Sequence, residues 1–473
     1  MTSATKGSFD RRLLASMMLG AILNPINSSI LAVSLVPIGI AFGAPPAQTA
    51  WLVGSLYLAT AIGQPVVGRL IDLYGPRRLF LTATVLVGLA GVIGFLAPNL
   101  GTLILARVLL GFGTCAGYPA AMYLIGSEAR RTGMRSPAGV LTALAVATQT
   151  ITVIGPALGG LLISVGGWRA TLAINVPLAI AGLALGARYL PRTAKSEGRV
   201  RDLVDLPGIV LFAPTLIALL VFLLAPRADR WYLPVLAAVL GGLFVRRELH
   251  AANPFVDVRV LAGNRPLILT YIRAVLAATV SYGFLYGVTQ WLQDGRGLSA
   301  AAAGLVQLPV FGTGLIVSSL TGRNPQIRGK LVVASASQLV AATLLLVLTP
   351  ARPVVALLGV MVVFGIPQGL NSLALQNSVY YQADPARIGS SAGLLRTAMY
   401  LGAMLASAAT GAFFPTRADT PGLRELGWFL IAIAAAYLVV TLVDRSLSAI
   451  GRAPDDQGQV VRDMATTDSR GGR

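Results

Sequence analysis

One polar interval near the start of the chain, residues 68–81, combines an acid, a turn former and bases between two long apolar stretches. The Asp72 carboxylate can face a helix N-terminus, where the helix dipole favours an anion. Gly75 permits a tight turn, and Arg77 and Arg78 supply two positive charges. Such a loop predicts a contact that forms and breaks as its helices move. The alternative is that these charges only fix topology, with both arginines anchored at lipid headgroups.

Two further residues belong to this candidate latch. Gly68 has no side chain, so its helix can approach a neighbour closely. Glu128 follows the fourth apolar stretch, and we expect Arg77 or Arg78 to pair with it. The candidate latch therefore consists of Gly68, Asp72, Gly75, Arg77, Arg78 and Glu128.

Three arginines stand inside apolar stretches, where a charge costs about 2–3 kcal/mol unless water or a partner meets it. Arg107 and Arg396 are candidates for a coupling charge or for a charge in a central cavity. Arg273 lies near one end of its stretch, and we expect its long side chain to reach the lipid headgroups there.

No aspartate or glutamate stands near the middle of an apolar stretch, and Asp205 and Asp294 lie near ends. The only histidine, His250, is in a polar interval. A membrane-buried proton carrier is usually one of these three residue types. Proton coupling would therefore run through a peripheral acid such as Asp72 or Asp294, or be absent. The unbalanced arginines favour a neutral or anionic amphipath as substrate over a dication.

The chain contains few residues of the types that usually carry out enzyme catalysis. It has one histidine and one cysteine, Cys115, and the cysteine lies in an apolar stretch. There is no phosphate-binding glycine loop ending in Lys-Ser or Lys-Thr, which argues against ATP-driven work. We expect no enzyme activity, no cofactor and no metal site. A membrane enzyme is the weakest of the alternatives.

Polar side chains form stripes at helical spacing on three apolar stretches. Each stripe can line a cavity, or it can hold two helices together through hydrogen bonds. The candidate cavity residues are Asn24 and Asn27, then Tyr282, Tyr286 and Gln290, then Gln368 and Asn371.

The elements that must position these groups are membrane helices. The chain of 473 residues is 55% hydrophobic and 12% charged, whereas a soluble domain is about one quarter charged. A helix of roughly 20 apolar residues crosses the hydrocarbon layer. We predict an all-α polytopic membrane protein with fourteen spans, at residues 12–41, 48–70, 78–97, 99–126, 137–165, 169–190, 205–225, 231–247, 266–291, 299–321, 329–349, 352–377, 389–414 and 424–446.

The charge distribution predicts the orientation of these spans. Most of the 37 lysines and arginines fall in alternate loops, which the positive-inside bias places in the cytoplasm together with both termini. The net charge of +19 then faces anionic lipid, and no nucleic-acid partner is expected.

A weak internal repeat divides the chain. Residues 322–330 follow the tenth span much as residues 68–78 follow the second, although the second copy lacks the acid. Internal repeats are typical of secondary transporters. We predict a cytoplasmic N-terminus, a six-helix bundle, a linker with two inserted helices, a second six-helix bundle and a disordered cytoplasmic tail, at residues 1–11, 12–190, 191–265, 266–446 and 447–473.

The fifth span carries a cluster of small residues. Pro156 removes a helix hydrogen bond and bends the span. Gly155 and Gly159, four residues apart, allow close helix crossing, and Gly160 extends the small surface. Ordinary helix packing is the alternative reading of this cluster.

These motifs together resemble the major facilitator superfamily and, within it, the fourteen-span drug:proton antiporters. The resemblance rests on GRLIDLYGPRR at 68–78, RVLLGFG at 107–113 and GPALGG at 155–160, with further likeness at 167–169, 174–177 and 248–261. It implies two six-helix bundles plus two inserted helices, and an exporter motif at Gly155, Pro156, Gly159 and Gly160.

The resemblance also assigns roles to residues. It implies that the candidate latch closes the cytoplasmic side, with Asp72 against the helix that starts near residues 389–391. It places Arg107 against the first helix, in proton transfer, and matches Arg396 to a family position. The first, fourth, ninth and twelfth spans would line the substrate cavity. Asn27 stands where the family carries an aspartate, and Leu73 and Pro76 replace usual bases.

The resulting functional expectation is efflux by alternating access in the bacterial plasma (inner) membrane. The substrate would be a small amphipathic molecule, drug or metabolite, and the transporter a proton-coupled monomer. The alternatives are a specific solute exporter, an uncoupled facilitator and a non-transporting membrane sensor.

Overall fold

The computed structural model describes residues 10, 12–132, 138–192, 205–224, 228–251, 254, 258–261, 263–321, 326–383 and 388–449. A few side chains inside these ranges, including those of Arg69, Asp72 and Leu73, lie outside the description. Every regular element in the described ranges is helical. The α-helices are α1 Arg12–Phe42, α2 Pro46–Tyr74, α3 Pro76–Leu96, α4 Leu100–Thr114, α5 Gly117–Thr132, α6 Ala138–Ala173, α7 Asn175–Tyr189, α8 Leu206–Leu224, α9 Tyr232–His250, α10 Arg265–Asp294, α11 Ala300–Thr321, α12 Ile327–Leu345, α13 Val354–Gln382, α14 Ile388–Phe413 and α15 Thr420–Val443.

The length and hydropathy of these helices suit a membrane. Ten helical segments of the described chain are long and apolar enough to cross it, and the bent pair α6–α7 raises that number to 11. Each predicted span contains at least part of one helix. The polytopic helical class is therefore confirmed, while the total of fourteen spans stays a prediction.

Three of the breaks between helical segments lie at or close to glycine residues. Gly75 has φ 78°, a conformation that favours glycine, and it ends α2 while Pro76 starts α3. Gly167, with φ 67°, kinks α6 near its end. The predicted fourth span is two helices, because the chain breaks at Cys115 and Ala116 between α4 and α5.

Helix packing forms two groups. Helices α1 to α7 pack mainly on one another, as in the pairs α1–α6, α2–α4 and α3–α7. Helices α10 to α15 do the same through α10–α14, α11–α13 and α12–α15. We call these groups the N bundle and the C bundle. They meet along two main seams, α6 against α11 and α2 against α14.

Helices α8 and α9 pair with each other beside one of these seams. Helix α8 packs on both α2 and α14. Its Phe212 and Leu216 belong to the same apolar cluster as Tyr57 of α2 and Met404 of α14. Helix α9 lies farther out and exposes apolar side chains such as Val239 and Leu243, as expected for a lipid-facing surface. The inserted pair therefore covers the α2–α14 seam on its lipid side.

The two bundles touch closely at one end. The charge bias predicts that turns 43–45, 97–99 and 295–299 face the cell exterior, so we call this the predicted outer end and the opposite one the predicted cytoplasmic end. A Cβ atom on Gly160 would lie 2.8 Å from the Ala300 carbonyl oxygen and 2.9 Å from the Ala301 nitrogen. The Ser407 hydroxyl donates to the Ala50 carbonyl 2.7 Å away. The bundles are thus closed together at the predicted outer end.

Candidate functional site

Four tyrosines meet between the bundles, at the centre of the α2–α14 and α1–α10 contacts. Tyr57 of the N bundle is fully buried. Its hydroxyl lies 3.2 Å from that of Tyr286, and its ring centroid lies 5.3 Å from Tyr282 and 5.7 Å from Tyr400. These are favourable separations for aromatic pairs. We call these four residues the tyrosine cluster. Three of them belong to the C bundle, so its geometry depends on how the bundles are docked.

Hydrogen bonds from the tyrosine cluster cross between the bundles. The Tyr400 hydroxyl donates to Gln64 Oε1 over 2.8 Å, and the Tyr286 hydroxyl lies 3.4 Å from the Ser28 carbonyl oxygen. The sequence pattern predicts Tyr282 and Tyr286 but not Tyr57, Gln64 and Tyr400. Two spacings could have indicated them, since Gln64 follows Tyr57 by seven residues and Tyr400 follows Arg396 by four, each on one helical face.

Arg107 of α4 lies deep in the N bundle and is only 2% exposed. Its Nε donates to the Leu52 carbonyl oxygen over 3.2 Å. One terminal nitrogen has no hydrogen-bond partner within the described part of the chain. It borders a cavity of about 10 Å³, roughly the room of one water molecule, which Asn27 and Thr171 also line. The guanidinium is therefore close to α1, but the surrounding space is too small for an organic substrate.

Arg396 of α14 reaches across to the other bundle. Its guanidinium carbon lies 4.3 Å from the ring centroid of Tyr118 in α5, which is cation–π distance. The side chain is half buried. None of the ion pairs found among the described residues includes Arg396 or Arg107.

Asn27 borders the small cavity beside Arg107, but its side chain is bonded to another helix. Its amide exchanges two hydrogen bonds with Asn175 of α7, over 2.7 and 2.9 Å. Asn27 is 3% exposed and also donates to the Leu23 carbonyl. The prediction that Asn27 lines the substrate cavity is replaced by the helix-bonding alternative, because a buried amide needs its bonds satisfied.

The remaining candidate cavity residues divide in the same way. Asn24 donates to the Thr114 hydroxyl within the N bundle. Asn371 accepts a 2.7 Å bond from the Tyr437 hydroxyl within the C bundle. Gln290 is buried beside the tyrosine cluster and donates to the Tyr286 carbonyl. Gln368 is half buried where α13 passes close to Gly314 of α11. The tyrosines thus lie between the bundles, whereas the side chains of Asn24 and Asn371 form hydrogen bonds inside one bundle each.

Comparison with known proteins decides the family. The family model described as Major Facilitator Superfamily matches residues 17–407. The chain belongs to the Major Facilitator Superfamily. It is 32% identical over 444 residues to the uncharacterized MFS-type transporter YwoD of Bacillus subtilis (strain 168), covering 91% of this chain and 96% of that one.

Two further comparisons agree with this family. The cephamycin export protein CmcT of Amycolatopsis lactamdurans is 29% identical, with 90% of each chain covered. The solved structure of an auto-inhibited POT family peptide transporter superposes with a TM-score of 0.66 at 15% identity, covering 92% of this chain and 98% of that one. The predicted major facilitator fold is confirmed, and the chain is a facilitator with export proteins among its relatives.

The facilitator's candidate latch shows different pairs from those predicted. Glu128 binds Arg131 through Nε over 2.9 Å and through a second, terminal nitrogen, and it accepts from the Asp10 backbone. The hydrogen bonds and charge of Arg131 hold the pKa of the Glu128 carboxyl below its ordinary value. Arg77 instead donates to the Ala187 carbonyl over 2.6 Å, and Arg78 is exposed. The predicted pairing of Arg77 or Arg78 with Glu128 is therefore not found among the described residues.

The other latch positions fall at the predicted cytoplasmic end of α2. Gly75 makes the tight turn that the sequence predicts. No described atom lies within 4 Å of a Cβ built on Gly68, and its close approach to a neighbouring helix stays a prediction. The Asp72 side chain and those of residues 389 and 390 lie outside the described residues. The contact expected between them stays a prediction.

The small residues of α6 seat it against two helices at once. A Cβ on Gly155 would lie 2.6 Å from Ser29 Cβ, and one on Gly159 would lie 2.7 Å from Val33 Cγ2, both in α1. Gly160 faces α11 in the other bundle, and Gly304 of α11 approaches Pro156 in return. Glycines on both faces permit these backbone contacts. The contact between α1 and α6 lies within the N bundle, whereas the contact between α6 and α11 joins the two bundles.

Arg273 does not reach the lipid headgroups, and that expectation is wrong. Its side chain is fully buried and pairs with Asp444, just after α15, over 2.7 Å. A second bond goes to the Thr270 hydroxyl over 2.6 Å. Asp444 also accepts from the Ser446 backbone and hydroxyl. The chain thus satisfies this charge internally, with a carboxylate 171 residues further along the sequence.

Proposed function

We propose that this facilitator exports small amphipathic molecules by alternating access between its two bundles. The observation that carries the proposal is the polar, tyrosine-rich junction between the bundles, combined with glycine-mediated closure at the predicted outer end. A site formed by both bundles changes when they rock, as alternating access requires. The export and resistance proteins among its relatives support outward transport.

The substrate class follows from charge. Arg396 lies at the interface and Arg107 is buried in the N bundle, while every acidic side chain within the described residues lies near a helix end or in a loop. We therefore propose a neutral or anionic substrate rather than a dication. A permanent cation would meet the Arg396 guanidinium without a compensating carboxylate.

Coupling to protons is the finer part of this proposal. We assign Arg107 a role in coupling because it is buried, incompletely hydrogen bonded and adjacent to α1. The proton carrier itself would be a peripheral acid, Asp72 or Asp294. The alternative is an uncoupled facilitator, and the paired amides of Asn27 and Asn175 favour it, because neither amide titrates in this pH range.

The direct test uses inside-out vesicles from a bacterial host that lacks its own exporters. Accumulation of aromatic probes of negative, zero and positive charge is measured with and without an imposed pH gradient. We expect uptake of the anionic and neutral probes, driven by an acidic interior, and loss of the gradient response in Arg107→Gln. Uptake that ignores the gradient would establish the uncoupled alternative. Binding without any uptake would favour a membrane sensor.

A further inference from the structure

The half-buried cation at Arg396 is surrounded by aromatic rings from both bundles. Tyr118 lies against its guanidinium from the N bundle. Tyr400, one turn along α14, shares its helical face. The ring of Tyr57 links Tyr400 to Tyr282, at 5.7 and 5.3 Å. A positive charge and flat apolar faces are thus presented together at the bundle interface.

The guanidinium retains unused binding capacity. Arginine offers five N–H donors in a planar fork. Tyr118 interacts with the Arg396 guanidinium through its ring and through a side-chain hydrogen bond, and no ion pair found in the described part of the chain includes Arg396. A cation held against a ring face keeps donors at its edge available. A carboxylate matches two such donors at once.

Arg107, the other candidate arginine, is poorly suited to bind a substrate. It is almost fully buried, its Nε is engaged by Leu52, and the adjacent cavity holds about one water molecule. Arg396 is more exposed and lies between the bundles. Of the two, only Arg396 combines access with aromatic surroundings.

We propose that Arg396 binds the anionic group of an aromatic substrate, while Tyr118, Tyr282 and Tyr400 receive its ring. This inference rests on the proposed export function and specifies its substrate as aromatic carboxylates or similar planar anions. The anion replaces the missing counter-charge of Arg396, and the ring stacks at the separations that the tyrosine cluster already uses. Because Tyr118 and Arg396 belong to different bundles, the bound anion also sits where the bundles move apart.

Binding of matched probes tests the site without requiring transport. The purified full-length protein is equilibrated with 2-naphthoate or with 2-naphthamide, which has the same ring and no charge, and both affinities are measured by equilibrium dialysis. We expect the carboxylate to bind about tenfold to a hundredfold more tightly, the range for charged hydrogen bonds. Arg396→Gln should reduce that ratio to about one and leave the amide affinity unchanged.

Two further variants serve as controls for the loss of the carboxylate preference in Arg396→Gln. Arg396→Lys retains the charge and should preserve part of the preference, even if Arg396→Gln binds neither probe. Arg352→Gln removes one positive charge from an exposed turn and should leave the ratio unchanged. Equal wild-type affinities, a preference that survives Arg396→Gln, or no preference in Arg396→Lys would overturn the proposal.

Transport separates this inference from the export function. If vesicles accumulate 2-naphthamide but purified protein shows no preference for the carboxylate, the exporter stands and the anion site is refuted. If the preference depends on Arg396 but neither probe is moved, the anion site stands and the exporter proposal is refuted.

Discussion

A methyl group added at Gly160 would collide with backbone of the opposite bundle. A Cβ there lies 2.8 Å from the Ala300 oxygen and 2.9 Å from the Ala301 nitrogen, and still closer to the Ala301 Cα. Backbone atoms cannot rotate away as a side chain can, so α6 and α11 must separate in Gly160→Ala. Overpacking of this kind costs about 1–3 kcal/mol. If the bundles part here in the other conformation, the cost applies to one state only and shifts the equilibrium about 5- to 150-fold.

Cysteine labelling measures this shift at the other seam. Ser407 is fully buried and donates to the Ala50 carbonyl across the bundles, so a Ser407→Cys thiol becomes accessible when the predicted outer end opens. The native Cys115 is buried and provides the background. In intact cells, a membrane-impermeant maleimide should label Ser407→Cys faster when Gly160→Ala is also present, by a factor in the range above.

Gly312→Ala is the matched control. Gly312 belongs to α11, the helix that Gly160 of α6 contacts, but no described atom lies within 4 Å of a Cβ built on it. It therefore carries the gain in helix propensity of a glycine-to-alanine change without the collision. Equal labelling rates in Gly160→Ala and Gly312→Ala, with both proteins folded, would refute the idea that this contact closes the transporter.

Two further predictions concern buried polar pairs. Asn175→Leu leaves the Asn27 amide without its partner on α7 and should lower the free energy of unfolding in detergent by about 1–3 kcal/mol. The double variant with Asn27→Leu and Asn175→Leu should recover part of this loss. Losses of the two single variants that simply add in the double variant would contradict the prediction. Asp444→Leu leaves Arg273 buried and unpaired and should cost about 3–5 kcal/mol, seen as a lower Tm. Arg273→Met in the same chain should restore much of that Tm, and an unchanged Tm in Asp444→Leu alone would show that the pair does not bear on stability.

The helices could be predicted from the sequence because the bilayer imposes a local rule. A span needs roughly 20 apolar residues in succession, so hydropathy locates the apolar segments, although it misses the break between α4 and α5 and ends the fifth span at 165 where α6 continues to Ala173. Gly75 was recognisable for a similar reason, since a positive φ between two helices strongly favours glycine. These features depend on neighbours in sequence alone.

The pairing of polar groups could not be predicted in this way. Asn27 and Asn175 are 148 residues apart, and Arg273 and Asp444 are 171 apart. A helical stripe shows which face is polar but not whether a cavity or another helix meets it. Tyr57 is harder to predict from the sequence, because only the docking of α10 and α14 gives it its aromatic partners.

The distance along the chain between Arg273 and Asp444 also has a consequence during synthesis. Ribosomes add about 5–20 residues per second, so the 171 residues between the two take roughly 10–30 seconds to make. For that interval a positive charge has entered the membrane region without its carboxylate. Asp444 directly follows the last long helix, so the charge is neutralised only when that helix has been completed. The ion pair can therefore form only when all helices of the C bundle have been synthesised. A nascent chain that stops earlier keeps the Arg273 charge without its carboxylate partner.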